Sequence, residues 1–403
     1  MSGRPVEKPN CLRAQEAYYD SGSPIHPREV NPFETAFNTF SDLGQGAKEN
    51  VLHSPHSDSR SDTGGDTPFY TAGEGPFGDY FQQIQNGPDR SLFLTITEGA
   101  HLELELKDKE RLPYVLVRNL GHGANASVEM IRDRLSGSVY ARKIFRNVYA
   151  RNLDEAKREF HNEIRNMRRL ASHHHIVRIY ATYMAHRELA LILTPVADGG
   201  DLAAVLDQYR DASDADRRRT SRILWGAFGC LASALAFMHK QTIRHKDIKP
   251  QNILIHEGSV LYTDFGISFD FSQQGHSTTT GYPRSFTRRY CAPEVADWNS
   301  RNSKSDVFSL GCVYIEILAT LIPSRVPESL LDEPFYLKIN ESLGHGTCYD
   351  QCLSADRVGS VIATMIMKDP EQRPSAEDVV SGWKGLSPEA SKYFCQDCLK
   401  GDK

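Results

Sequence analysis

The sequence predicts an α+β chain in two lobes, a small β-rich lobe with one main helix and a larger α-helical lobe. Three observations predict it. Apolar residues alternate in short runs between Ser91 and Leu193. After Gly199-Gly200 the pattern becomes mainly helical. The first 90 residues hold only eight Val, Leu and Ile, too few to offset a chain entropy of about 1–2 kcal/mol per residue.

Residues 1–90 are therefore expected to be a disordered acidic tail, with 7 Lys and Arg against 13 Asp and Glu. One short helix is predicted there over 32–43. Phe33, Phe37 and Phe40 fall at i, i+4 and i+7, Asn31 can cap, Pro32 suits the first position and Gly44 can end it. Such a helix could serve a docking partner of the tail. Leu92, Leu94 and Ile96, then Leu102, Leu104 and Leu106, alternate around Glu98-Gly99, which predicts a β-hairpin over 91–113. Further strands are expected at 114–117, 139–145, 176–180 and 189–193, and a helix over 154–170. Residues 223–239 and 305–321 read as long helices, the second buried. Residues 386–403 read as a short polar tail.

Composition excludes several function classes. With 39% hydrophobic and 25% charged residues the chain is globular. A net charge of -5 argues against a strongly basic nucleic-acid binder. No uninterrupted apolar run approaches the ~20 residues of a membrane span, and the start MSGRPVEKPN has no apolar leader core. Eight irregularly spaced cysteines suggest a reducing compartment, so a cytoplasmic or nuclear location is expected, with no nucleic-acid or membrane partner. Cys348, Cys352, Cys395 and Cys398 could in principle form a four-thiolate zinc site, although unrelated free thiols are the plainer reading. Three consecutive histidines, His173–His175, cannot face one ion from a regular element.

Chemistry concentrates in two stretches. Gly121-His122-Gly123 begins a strand–turn–strand whose backbone could approach phosphate oxygens, with Val128 closing it. Lys143 ends an apolar strand, and Glu163 in the following helix could pair with it and hold its ammonium on a nucleotide's phosphates. The stronger signal is His245-Lys246-Asp247-Ile248-Lys249-Pro250-Gln251-Asn252, followed by Asp264-Phe265-Gly266. Asp247 can accept a hydroxyl proton and Lys249 can neutralise a moving phosphoryl group. Asn252 and Asp264 can hold Mg2+.

At these residues the chain resembles the eukaryotic protein kinases over about 114–385. The resemblance implies a bilobal kinase-like fold and an ATP- and Mg2+-dependent transfer to Ser or Thr hydroxyls of protein substrates. His245-Lys246-Asp247 resembles the catalytic-loop triplet, Asp264-Phe265-Gly266 the magnesium triplet, and Ala292-Pro293-Glu294 the end of the activation segment. By the same resemblance Asp306 is a buried helix aspartate, and Arg373 pairs with Glu294. Met167, Ile179, His245 and Phe265 form a packing spine. Adenine would bond to the Pro195 carbonyl and the Ala197 N–H beside Thr194, with Val128, Ala141 and Leu254 lining the pocket. Asp201 would meet the ribose or, alternatively, cap a helix. His173 and His175 would anchor the loop behind the main helix. Thr287 would bond to Asp247 and Lys249, as in Ser/Thr-directed members. Gln251 would replace a glutamate of members that prefer basic peptides while Glu316 would keep another acidic position, which leaves that preference open. Three departures stand out: Ala126 for a third glycine, Lys246 for the usual arginine, and Pro283 at the usual phosphoacceptor position. The last two imply little dependence on phosphorylation of that segment. Rival classes are a pseudokinase scaffold, which keeps the fold without turnover, and a small-molecule phosphotransferase.

Overall fold

The structure is a computed structural model that describes residues 90–400, apart from 124, 125, 147, 150, 151, 281–286, 332, 333, 343–352, 354, 355 and 387. The helix expected over 32–43, Cys348, Cys352 and Pro283 lie outside the described residues.

Six strands form the sheet of the first lobe: β1 (His101–Leu104), β2 (Tyr114–His122), β3 (Ala126–Asp133), β4 (Val139–Phe145), β5 (Arg178–Ala185) and β6 (Glu188–Thr194), in the order β1-β5-β6-β4-β3-β2. All neighbours are antiparallel except β1, which runs parallel to β5 with His101 opposite Thr182. The hairpin expected over 91–113 does not form. Its first run stays outside the sheet because the open edge of β5 takes the second run, with the Gly99 N–H donating to the Tyr180 carbonyl at 2.7 Å and the Tyr180 hydroxyl to the Ile96 carbonyl at 3.0 Å. Ile96 and Leu112 instead close a second core over the sheet, packed with Ile131, Tyr140, Tyr183 and Ile192.

Helix α1 (Leu153–Leu170) crosses the other face. Phe160, Ile164, Met167 and Leu170 recur at helical spacing and are buried, and Glu163 is buried among them. The second lobe holds α2 (Leu202–Gln208), α3 (Asp214–Lys240), the pair β7 (Ile243–Arg244) and β10 (Phe269–Asp270), the hairpin β8 (Ile253–His256) and β9 (Ser259–Tyr262), then α4 (Pro293–Ala296), α5 (Lys304–Leu321), α6 (Phe335–Ser342), α7 (Arg357–Met365), α8 (Ala376–Lys384) and α9 (Gln396–Lys400). Helix α3 is apolar and long enough to cross a membrane by composition, yet Leu224, Phe228, Leu231, Leu235 and Met238 pack inside the lobe. Ser213 caps its start by accepting from the Asp216 N–H. Helix α8 opens on a reciprocal capping box between Ser375 and Asp378.

The end of the chain is not a loose polar tail. Leu386, Tyr393, Phe394 and Cys398 are buried. The Tyr393 carbonyl accepts from the Gly229 N–H on α3 at 2.8 Å. A Cβ at Gly229 would lie 2.4 Å from that carbonyl oxygen, so this approach requires glycine.

Candidate active site

Strand register builds the first half of the site. Gly121 stands opposite Val128, and Val128 opposite Lys143, so the glycine turn lies one strand from the lysine. The Gly123 N–H closes the turn on the Ala126 carbonyl at 2.8 Å, which needs no third glycine. His122, on the same turn, is 2.8 Å from Arg146. Lys143 donates to Glu163 Oε1 at 2.8 Å and to Asp264 Oδ1 at 2.7 Å, joining β4, α1 and the second lobe at one ammonium. The Lys143 ammonium holds the Asp264 carboxyl down to about 2. Burial alone would lower Lys143, but the carboxylates of Asp264 and Glu163 overcome it and hold it above its ordinary value. Burial pushes the Glu163 carboxyl up against the pull of that same lysine. Beside them, a Cβ on Gly266 would lie 3.4 Å from Asp264 Oδ1 and 3.5 Å from Glu163 Oε2.

The second half is built around Asp306, in the first turn of α5. Its carboxylate accepts from the backbone N–H groups of His245 and Lys246, each at 2.9 Å, and pairs with His239 at 3.0 Å. Those bonds hold Lys246 at φ +71°, a conformation costing about 1–3 kcal/mol outside glycine. Asp247 follows directly. Its Oδ1 accepts from the Thr287 hydroxyl at 2.7 Å, and its Oδ2 lies 2.9 Å from Lys249 Nζ. Lys249 also donates to the Thr287 hydroxyl at 3.0 Å. Asn252 Nδ2 donates to the Asp247 carbonyl at 2.9 Å and to Asp247 Oδ2 at 3.0 Å. The amide hydrogens of Asn252 are thereby committed, and its Oδ1 remains an acceptor. The Thr263 N–H donates to the Asn252 carbonyl at 3.0 Å, which brings the next residue, Asp264, alongside. An amide oxygen and an ionised carboxylate are the hard oxygen donors that Mg2+ prefers, so these residues fit that ion.

Between the lobes, β6 ends at Thr194 and the chain passes through Pro195 and the buried Ala197 to α2. Val128, Ala141, Ala197 and Leu254 belong to one hydrophobic cluster that spans both lobes. Met167, Ile179 and Phe265 belong to it too, and the His245 ring lies 4.9 Å from that of Phe265. Asp201 departs from the ribose reading. It is wholly buried and its Oδ1 accepts from the Ala204 N–H at 3.1 Å, capping α2. A short acceptor immediately before a helix satisfies the free N–H groups there, and this outcompetes a surface role.

Glu294 and Arg373 meet as a buried two-pronged pair, 2.7 and 2.8 Å. Glu316 is half-buried and engaged by its neighbours. Its carboxylate accepts from Arg289 and from the Tyr290 hydroxyl. His173 and His175 are buried behind α1, and His175 Nδ1 lies 2.7 Å from the Val260 carbonyl oxygen. Sequence reasoning missed the His239–Asp306 pair and the Arg169–Asp270 pair at 2.8 Å that ties α1 to β10. Their residue types are commonplace, and only the tertiary fold brings them together.

Residues 114–383 match the sequence model of the protein kinase domain. The chain is 27% identical over 304 residues to mitogen-activated protein kinase kinase 2 of Arabidopsis thaliana, covering 71% of this chain and 75% of that one. It is 31% identical over 290 residues to the serine/threonine-protein kinase PknB of Mycobacterium tuberculosis, covering 70% of this chain and 44% of that one. With the serine/threonine-protein kinase chk1 of Schizosaccharomyces pombe the figures are 27% over 275 residues, 67% and 53%. The chain thus spans about half the length of two of these three relatives. Given the domain match over most of its length and the mixed α+β architecture that carries it, this chain belongs to the protein kinase family.

Proposed function

We propose that the chain is a catalytically active serine/threonine protein kinase acting on hydroxyls of protein substrates. The observation that carries this reading is the triangle of Asp247, Lys249 and Thr287, with edges of 2.7, 2.9 and 3.0 Å. Magnesium-bound ATP, when present, supplies the γ-phosphoryl group and the electrophilic phosphorus. In this reading Asp247 orients the incoming hydroxyl and takes its proton, while Lys249 offsets charge on the transferring group. Lys143, braced by Glu163, meets the nucleotide phosphates, and Asn252 and Asp264 hold the ion through oxygen. The turn at Gly121–Gly123 covers the phosphates, and Val128, Ala141 and Leu254 enclose the base beside Thr194, Pro195 and Ala197. Lys249 and Thr287 favour Ser and Thr over Tyr acceptors, and two of the relatives above bear serine/threonine names.

The experiment is incubation of the full chain with Mg-ATP and a degenerate peptide library, followed by phosphoamino-acid analysis. Phosphoserine and phosphothreonine are expected. Phosphotyrosine alone would overturn the acceptor class. Nucleotide binding without turnover would point to a scaffold.

A further inference from the structure

Two sequence features unconnected in the chain meet in the fold. The loop between α1 and β5 carries His174 and His175. The segment before α9, and α9 itself, carry Cys395 and Cys398. His174 Nε2 lies 3.2 Å from Cys395 Sγ and 3.5 Å from Cys398 Sγ, and His175 Nε2 lies 3.4 Å from Cys395 Sγ. The four donor atoms all fall within 4.8 Å of one another. For zinc at ~2.0–2.1 Å from nitrogen and ~2.3 Å from sulfur, a tetrahedral site has an N···S edge of about 3.6 Å. The observed separations are close to that edge.

The surroundings are those of a metal ligand set. His175 Nδ1 lies 2.7 Å from the Val260 carbonyl oxygen, which can only accept. Nδ1 therefore carries the proton, and Nε2 presents its lone pair toward the sulfurs. The Cys398 N–H points back at Cys395 Sγ across 3.5 Å, a contact that favours a thiolate at Cys395. The Cys395 N–H in turn donates to Cys230 Sγ on α3 at 3.1 Å, which fixes the start of the Cys-x-x-Cys turn. Both sides are anchored independently. The loop is held by the Tyr262 N–H on the His175 carbonyl at 2.8 Å and the Val177 N–H on the Tyr262 carbonyl at 3.0 Å. The chain end is held by Tyr393 on Gly229.

We propose that His174, His175, Cys395 and Cys398 bind one zinc ion in a closed structural site that clips the C-terminal helix to the loop behind α1. Two thiolates and two imidazoles in a tetrahedron select zinc over the oxygen-seeking Mg2+ and Ca2+. Four protein ligands leave no open position, so the role is structural. Binding releases the thiol protons to solvent and requires no redox step. The two histidines lie 220–224 residues before the two cysteines in the chain, so the ion would close a long loop that contains the whole second lobe. Its position at the C-terminal end of α1 fixes the helix that carries Glu163. The site does not depend on the phosphotransfer reading.

The test uses the full chain purified under reducing conditions without chelator. Elemental analysis should find one zinc per chain. After removal of zinc, Co2+ alone should restore intense visible bands of tetrahedral cobalt and near-ultraviolet thiolate-to-cobalt charge transfer. His174→Ala and Cys398→Ser should each weaken metal affinity at least about tenfold, and chelator should lower the unfolding midpoint of the native chain only. His174 is exposed, so its variant remains informative if the buried Cys398→Ser fails to fold. Any of three results would overturn the proposal: less than about 0.1 zinc per chain with no tetrahedral cobalt spectrum, a Cys395–Cys398 disulfide persisting under reducing conditions, or an unchanged cobalt spectrum and affinity in His174→Ala.

Discussion

The hydroxyl of Thr287 donates to Asp247 Oδ1 at 2.7 Å while accepting from Lys249 at 3.0 Å, so one side chain from the segment before α4 holds both polar groups of the 245–252 loop. Asp247 is otherwise held only by Asn252 and Lys249 among its side-chain contacts on the described residues. Seating of the segment and aiming of the aspartate are therefore one structural event.

Asp247→Asn should leave ATP affinity nearly unchanged and lower kcat by about 10²–10⁴, because a proton acceptor is lost only at the chemical step. Thr287→Val should lower kcat by about tenfold or more, with Thr287→Ser restoring most of it. Steady-state kinetics with a peptide substrate, alongside a direct nucleotide-binding titration, separates the two effects. Normal turnover by Asp247→Asn would remove it from the chemistry.

The Asp264 carboxyl titrates near 2, against about 3.9 in an unfolded chain. Its ion pair with Lys143 therefore contributes stability in full above about pH 4, and that contribution is lost as pH falls toward 2. Chemical denaturation of the native chain and of Asp264→Asn, repeated across that window, should show their stability difference shrinking as acid is added. A difference that stays constant down to pH 2 would show that the pair is not formed in solution.

Arg373→Ala should destabilise the fold by about 3–5 kcal/mol, since it strands the buried Glu294 carboxylate. Replacing both partners, as Glu294→Gln with Arg373→Met, should cost less than the single change. Equal costs in denaturant titrations would mean that the two side chains do not interact.

Much of this was legible in the sequence because catalytic chemistry needs fixed residue types at fixed spacing. Asp247, Lys249 and Asn252 lie within six residues on one loop, and the apolar, β-branched and aromatic run over 139–145 coincides with β4. What was illegible was pairing decided at long range. The alternation at Leu92–Ile96 says nothing of which edge is open, and β5 offered that edge to the second run. Asp201 illustrates a local competition, in which an acceptor just before a helix serves the helix first. The histidine run and the Cys-x-x-Cys turn were both visible, but neither shows in one dimension that it faces the other.

A chain shortened to begin at Tyr114, where the domain match starts, should be less stable than one beginning at Arg90. Removing Ile96 and Leu112 uncovers Ile131, Tyr140, Tyr183 and Ile192. Two buried apolar side chains correspond to about 3–6 kcal/mol. Thermal unfolding of the two shortened chains measures the difference, and equal midpoints would show that residues 90–113 do not cover the sheet.

Activity should depend little on phosphorylation of the activation segment, because its described part is already tied down by contacts that need no phosphate. The Arg244 guanidinium donates to the Thr279 hydroxyl at 2.8 Å and to the Arg301 carbonyl at 2.9 Å. Thr279 and Arg301 also exchange backbone hydrogen bonds at 2.7 and 2.9 Å. Thr287 adds its bond to Asp247. Lys246 lines the same cavity as Thr280 but offers a point charge rather than the planar fork that orders a phosphate. The comparison is between untreated enzyme, phosphatase-treated enzyme and a variant in which Ser277, Thr278, Thr280 and Ser285 are alanine. Thr279 and Thr287 are left intact, since their hydroxyls already hold Arg244 and Asp247 and removing them would mix regulation with structure. Activities within tenfold of one another, ~1.4 kcal/mol of barrier, are expected. A larger loss in both the treated enzyme and the variant would mean that a phosphate completes what Arg244, Lys246 and Arg301 begin.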